Sequence, residues 1–314
     1  MTMRALVFPG QGSQAVGMGK ALAEAFRSAR DVFHEVDEAL GQNLSRLMWE
    51  GPEGDLTLTE NAQPAIMAAS LAVVRVLEED GGFTFGKHCQ YVAGHSLGEY
   101  SALAAAGALP LGVTAKLLKT RGQAMQRAVP VGTGGMAALL GAELDQAKEV
   151  AAEAAQGDVC AVANDNAPGQ VVISGAKAAI DRAVEIAKAK GIKRAMALNV
   201  SAPFHCALME PAARAMEEAL GAAAIVHPRV PVISNVSVKP EGDPDRIRRL
   251  LVEQVTGLVR WRETVLSLPG LQVEAMAECG AGKVLTTMAK RTTDQVKLVN
   301  VDTPADIDAF LKSL

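Results

Sequence analysis

Gly94-His95-Ser96-Leu97-Gly98 is the stretch of this chain whose residue types and spacing could do chemistry. Just before it, Gln90-Tyr91-Val92-Ala93 reads as a short buried strand, and just after it residues 99–106 read as a helix rich in Ala and Leu. A G-x-S-x-G between a strand and a helix is the pattern of a nucleophile elbow. The serine sits at a tight turn so that its Oγ points away from the sheet, and the flanking glycines leave room for the neighbouring strand and helix. The helix that follows aims its first N–H groups at the place where an oxyanion would form. Without its strand and helix, the same pentapeptide would be a plain glycine-rich turn.

A serine nucleophile needs a base, and the chain has five histidines. His34 lies in a charged helical stretch and His88 just before the strand; both read as surface residues. His227 precedes a proline in a loop. His95 adjoins the serine, but its side chain leaves the turn in a different direction, which gives it a supporting role. His205 stands in Ser201-Ala202-Pro203-Phe204-His205-Cys206, a proline-stiffened bend where the chain returns toward the main sheet. It is either a solvated loop histidine or the base that would take the serine proton and return it to a leaving group.

An oxyanion needs two donors. The N–H of Leu97, the residue after the nucleophile, is one. The other comes from a loop at a different strand end, and Gly10-Gln11-Gly12-Ser13-Gln14 is such a loop. Gly10-x-Gly12-x-x-Ala15 also fits a dinucleotide fingerprint, which requires an acidic residue about 20 positions on at the end of a second strand. Residues 30–38 read as helix, so that ribose-binding residue is missing. Gly280-Ala281-Gly282-Lys283-Val284 fails as a phosphate loop, lacking the first glycine at the right spacing and the hydroxyl after lysine.

These residues have to be held by a frame. Ala5-Leu6-Val7-Phe8 is an apolar strand stopped by Pro9-Gly10. Residues 20–40 have helical periodicity, residues 44–49 add a short helical piece, and Thr59 opens a helix to about residue 79 with Pro64 in its first turn. Residues 113–128 form another helix. Strand and helix alternate here, which points to a parallel sheet. After a glycine-rich link at 129–135 the order becomes β-α-β-β-α-β, that of a ferredoxin-like unit, with 164–169 as the turn between its middle strands. Beyond Pro203 follow a helix at 210–221, a strand at 230–234, a helix at 243–256 capped by Asp243 with Pro244 behind it, strands at 273–277 and 297–301, and a final helix capped by Thr303. The reading is α/β, with a main domain at 1–128 and 201–314 and an inserted small domain at 129–200.

Composition narrows the class. The chain has 314 residues, 49% hydrophobic and 21% charged, an ordinary globular balance. A net charge of −4 argues against general nucleic-acid binding. The cysteines at 89, 160, 206 and 279 are scattered, with neither metal-ligand nor disulfide spacing, as fits a reducing compartment. Met1-Thr2-Met3-Arg4 leads straight into a strand with no leader pattern, and the uncharged runs are too short and mild to span a bilayer. A cytoplasmic protein, with no membrane partner and no bound metal, is the expectation.

In order along nearly the whole chain, Gly10-Gln11-Gly12-Ser13-Gln14, Gly94-His95-Ser96-Leu97-Gly98-Glu99-Tyr100, Arg121-Gly122-Gln123-Ala124-Met125, Ser201-Ala202-Pro203-Phe204-His205, Glu253-Gln254-Val255 and Gly280-Ala281-Gly282-Lys283-Val284-Leu285 resemble the successive motifs of the malonyl-CoA:acyl carrier protein transacylases. Ala281, where that family often has proline, departs from the pattern in a loop. The resemblance implies an α/β-hydrolase-like main domain with a ferredoxin-like insertion. By position it implies Ser96 as the acylated nucleophile, His205 as base, the Gln11 and Leu97 amides as oxyanion donors, Arg121 as the grip on the malonyl carboxylate, and the backbone carbonyl of Gln254 as the group orienting His205. Phe204 would close the space where an α-methyl group would go.

The implied reaction is ping-pong transfer of malonyl from malonyl-CoA to the phosphopantetheine thiol of acyl carrier protein, feeding fatty acid elongation, with a polyketide pathway as the alternative. No bound cofactor is needed. The carrier is acidic, so a basic landing surface is expected, with Lys188, Lys190, Lys193, Arg194, Lys290 and Arg291 as candidates. Two rivals remain: a serine esterase, needing an acid such as Asp165 behind the base, and a non-catalytic carrier-binding module.

Overall fold

The structure is a computed structural model and describes residues 2–198, 200 and 202–314. Met1, Asn199 and Ser201 lie outside the described residues, and with them the first residue of the 201–205 motif and the expected boundary at 200/201.

An apolar run without alternation belongs in a strand buried on both faces, and Arg4–Phe8 (β1) is buried along its whole length. The strands that follow are Tyr91–Gly94 (β2), Gly134–Leu140 (β3), Cys160–Ala167 (β4), Gln170–Ala176 (β5), Arg194–Ala197 (β6), Val232–Ile233 (β7), Pro240–Glu241 (β8), Ala275–Cys279 (β9) and Lys297–Val301 (β10). They form two sheets among the described residues. The larger has the order β10-β9-β1-β2-β7-β8 and is parallel except for the β7–β8 pair. The smaller, β4-β5-β3-β6, is antiparallel throughout.

Register positions the site. Phe8 pairs with Gly94, so β1 and β2 end level, and the loops after them leave the same edge of the sheet side by side. In open parallel sheets that carboxyl edge is where ligands bind. The helix Thr59–Glu79, buried around most of its circumference, and the helix Leu111–Arg127 pack on one face of this sheet; Trp261, Val265 and Leu285 cover the other. No helix among the described residues is long and apolar enough to cross a membrane.

The two glycines of the elbow have no room for anything larger. A Cβ on Gly94 would lie 1.9 Å from the Gly98 carbonyl, and one on Gly98 would lie 2.2 Å from the Phe8 carbonyl oxygen. Backbone cannot yield as a flexible side chain can, so Gly94→Ala should cost at least about 3 kcal/mol. Chemical denaturation of the variant would check this.

Several expectations need correction. The helix expected over 20–40 is two, Lys20–Ala25 and Arg27–Leu40, parted by extended backbone at Phe26. The break lets each piece bury its own face, Leu22 and Ala23 in one, Val32, Phe33 and Val36 in the other. Pro64 lies inside its helix, beyond the first turn. Gly134 and Gly135 belong to β3, not to a link, and a Cβ on Gly134 would come within 2.4 Å of Pro203, where the returning chain crosses.

Residues 164–167 are strand, and the turn shrinks to Pro168-Gly169. Turn-forming side chains fold back on their own backbone only when nothing better is offered. Here Asn166 is bonded to His95 and Asp165 to Arg262, while the backbone of 163–165 pairs with Val259. The same contacts dock the small sheet on the large one. The caps at Asp243 and Thr303 form as expected, each accepting from the N–H three residues on.

Candidate active site

Ser96 follows β2 with φ 54°, a left-handed conformation that a residue with a Cβ adopts at a cost. The bend is clamped. Asn235 Oδ1 accepts the Ser96 N–H at 2.7 Å, and Asn235 Nδ2 donates to the Gly94 carbonyl at 2.6 Å. Ser96 Oγ is thereby held 2.8 Å from His205 Nε2.

His205 is buried, also at positive φ (58°), in the bend after Pro203. Its Nδ1 lies 2.8 Å from the Gln254 carbonyl oxygen. A carbonyl can only accept, so Nδ1 carries the hydrogen and Nε2 presents a lone pair to the serine hydroxyl. An esterase would place a carboxylate there. Asp165 instead pairs with Arg262 Nε at 2.9 Å, which leaves that rival without its acid. Burial, then the neighbouring Arg121 charge, pushes the His205 imidazole down to about 3. The imidazole is therefore neutral at about pH 7, as a general base would have to be. The rate at low thioester concentration should stay level between about pH 7 and about pH 5, without the acid limb of an ordinary histidine base. A stopped-flow pH profile checks this; a drop centred near the usual histidine value would contradict it.

Arg121 sits on the inner face of its helix, 1% exposed. Its Nη1 donates to Gln63 Oε1 at 2.9 Å, and its Nη2 to Gln254 Oε1 at 2.9 Å and Ser96 Oγ at 3.1 Å. Its Nε has no partner among the described residues, and the guanidinium lies 5.7 Å from the centre of the Tyr100 ring. A buried cation with donors to spare, facing a cavity, suits a carboxylate ligand. That cavity is about 360 Å³ and is lined at this end by Gln11, Gln63, Ser96, Leu97, Arg121 and His205. Met136, Val172, Leu198, Phe204 and Met288 make an apolar wall along the rest.

Gln11 and Leu97 come from the loops after β1 and β2, as the register requires, and neither main-chain N–H has an acceptor among the described residues. His95 turns away from the serine. Its Nε2 is 2.8 Å from Asn166 Oδ1, and its ring meets Trp261 edge-on. Of the basic candidates, Lys188 pairs with Glu185, Lys190 with Glu153, and Arg291 donates to the Pro168 carbonyl. Lys193, Arg194 and Lys290 are exposed and form no ion pair among the described residues.

Four contributors escape sequence reasoning. Gln63 and Asn235 are unremarkable as residue types. The Gln254 side chain, beyond its carbonyl, is the centre of the network: Nε2 donates to the Ser96 carbonyl at 2.9 Å and to Glu99 Oε2 at 2.7 Å, while Oε1 takes Arg121. Glu99, 3% exposed, also accepts from the Asn235 N–H. A carboxylate one residue past the elbow on an Ala- and Leu-rich helix was the one visible signal.

The chain matches the model of the acyl transferase domain over residues 5–305. It is 43% identical over 312 residues to the malonyl CoA-acyl carrier protein transacylase of Escherichia coli K12, covering 99% of this chain and 100% of that one. It is 42% identical to the protein of that name from Bacillus subtilis, covering 100% and 98%. Among solved structures, the acyl-carrier-protein-S-malonyltransferase of Bartonella henselae superposes with a TM-score of 0.97 at 53% identity, covering 100% of this chain and 99% of that one. A malonyl-transacylase solved in complex with its type II PKS acyl-carrier protein superposes at 0.96 with 42% identity, covering both chains fully. A full-length match of this depth, to sequences and structures alike, places the chain in the malonyl CoA-acyl carrier protein transacylase family of acyl transferase domains.

Proposed function

We propose that this acyltransferase moves malonyl from malonyl-CoA to the phosphopantetheine thiol of acyl carrier protein through a malonyl ester on Ser96, supplying fatty acid elongation in the cytoplasm. The observation that carries this is the convergence on one hydroxyl: Ser96 Oγ lies 2.8 Å from the His205 lone pair and 3.1 Å from a buried guanidinium. Ser96 Oγ attacks the thioester carbonyl as its proton passes to His205 Nε2. The oxyanion is held by the Gln11 and Leu97 N–H groups. As the tetrahedral carbon collapses, the CoA sulfur leaves with the proton from His205. The carrier thiol then gives its proton to His205, attacks the ester, and Ser96 Oγ recovers a proton as it departs. Arg121 holds the distal carboxylate throughout, which fixes the acyl group against attack by water. Phe204, on the cavity wall, fills the place of an α-methyl group. His95, bonded to Asn166, steadies the elbow against the small sheet.

Residues 1–128 and 201–314 form an α/β-hydrolase-like domain, and 129–200 a ferredoxin-like insertion; the β-α-β-β-α-β order and the antiparallel sheet β4-β5-β3-β6 support this reading. The carrier docks by its acidic surface on the insertion and the neighbouring helix, on Lys193, Arg194 and Lys290 first. Lys188, Lys190 and Arg291 already have partners to give up. Arg194→Glu with Lys290→Glu should slow transfer to the carrier by about tenfold while leaving acylation by malonyl-CoA unchanged. Equal loss in both half-reactions would move the docking surface elsewhere.

Intact mass spectrometry tests the reaction itself. The chain mixed with malonyl-CoA should gain one malonyl group and lose it on addition of the carrier bearing its phosphopantetheine arm. A chain that stays unmodified while transfer proceeds would exclude the ester intermediate; one that stays unmodified and transfers nothing would return the molecule to a carrier-binding role.

A further inference from the structure

The buried carboxyl of Glu99 has no part in the reaction just described, although it lies one side chain from the group that grips the substrate. It is 3% exposed and reached by Gln254 Nε2 at 2.7 Å and by the Asn235 N–H at 3.2 Å. The other end of the same Gln254 amide accepts from Arg121 Nη2 at 2.9 Å. An amide has a carbonyl end and an NH2 end. A carboxylate on one side and a guanidinium on the other leave Gln254 a single sensible orientation. Its NH2 end also holds the Ser96 carbonyl at 2.9 Å, so the nucleophile, the cation and the carboxyl are joined through one side chain.

Charge gives this arrangement a consequence. Arg121 is the charged group that faces Glu99 from the packed elements; Tyr100, beside both, is held neutral by burial, its phenol pushed up to about 12. Burial pushes His205 down to about 3 and pushes His95 down as well, disfavouring the charged form of each. With no substrate, one buried cation is balanced by one buried carboxyl. A thioester whose acyl group ends in a carboxylate brings a second anion to the same guanidinium, and two buried anions on one cation are unfavourable. We propose that Glu99 is a positioning residue which sets Arg121 through Gln254 and takes up a proton when the carboxylate of the acyl group arrives. This rests on the transacylase reading above. Burial already pushes the Glu99 carboxyl up to about 7 against the bonds it accepts and the Arg121 charge, so the proton costs little there.

The test is binding calorimetry on Ser96→Ala, which cannot be acylated, with malonyl-CoA and acetyl-CoA in buffers of different ionisation enthalpy. Acetyl-CoA carries the same CoA phosphates and no carboxylate, so the difference between the two ligands isolates the acyl end. At about pH 8 malonyl-CoA should take up more than about half a proton beyond acetyl-CoA, and at about pH 5.5 almost none, because Glu99 is then protonated beforehand. The affinity ratio of malonyl-CoA to acetyl-CoA should fall with rising pH above about pH 7, approaching tenfold per unit. Adding Glu99→Gln should abolish the extra uptake and flatten the ratio. Uptake that is greatest at the lower pH, or that persists with glutamine at 99, would assign the proton to His205 and overturn the proposal alone, provided wild-type chain still gains a malonyl group. A wild-type chain that gains none would overturn both readings. Should the double variant fail to fold, the pH dependence in Ser96→Ala decides by itself.

Discussion

Ser96→Ala should abolish the malonyl adduct and lower transfer by on the order of a millionfold, the loss seen when a serine and its histidine base act as one unit. His205→Ala should cost nearly as much, and the double variant little more than either single one. The reason is geometric. Ser96 Oγ and His205 Nε2 are 2.8 Å apart, and in the proposed reaction the proton between them moves in the same step as the attack. Removing either partner removes that step, so the second removal has nothing further to take. The substitution is a fair test of chemistry because the fold survives it. Ala keeps the Cβ, so the left-handed φ of 54° costs the same in parent and variant. The Asn235 clamp acts on the backbone N–H and the Gly94 carbonyl, neither of which changes. Single-turnover rates with malonyl-CoA, alongside thermal unfolding, separate the two effects. Additive losses would mean that serine and histidine serve different steps.

The elbow was legible because it is local. Strand, glycine, serine, glycine and helix are consecutive, and the crowding at Gly94 and Gly98 turns a spacing rule into a steric requirement. The caps at Asp243 and Thr303 were legible for the same reason. Residues 164–166 misled because Asn and Asp favour turns only while their side chains are unemployed. Here they serve His95 and Arg262, contacts 71 and 97 residues away in sequence. Gln63, Glu99, Asn235 and the Gln254 side chain stayed hidden on a similar ground. Each is an ordinary polar residue in its own segment, and each matters through a bond that exists once the helices at 59–79 and 244–256 and the loop after β7 have converged on Ser96. Family resemblance pointed to the Gln254 carbonyl but said nothing of the amide beyond it.

Arg121→Ala should lower acylation by malonyl-CoA by roughly 10²–10⁴, the effect of breaking a buried charge pair worth about 3–5 kcal/mol, while leaving acylation by acetyl-CoA within a few-fold of the parent. The asymmetry follows from what the guanidinium touches. Toward the protein it donates to two amide oxygens, Gln63 Oε1 and Gln254 Oε1, and to the serine hydroxyl. It also lines the cavity, its Nε without a partner among the described residues, and a carboxylate is the ligand suited to a planar guanidinium fork. An acetyl group has nothing to offer that fork, so for acetyl-CoA the arginine is a wall. Removal has a second effect that works in the same direction. His205 is pushed down partly by the Arg121 charge, so without it the base recovers strength. Acetyl transfer then gains on that account, and the ratio of malonyl to acetyl moves further. Arg121→Lys separates charge from shape: a single ammonium restores the cation without the fork, and should recover part of the malonyl rate but less of the preference. Rates for both thioesters, measured on the three proteins under the same conditions, give the ratio directly. A ratio unmoved by Arg121→Ala would mean that the carboxylate is held elsewhere in the cavity, and the buried cation would then be a strut for Gln63 and Gln254.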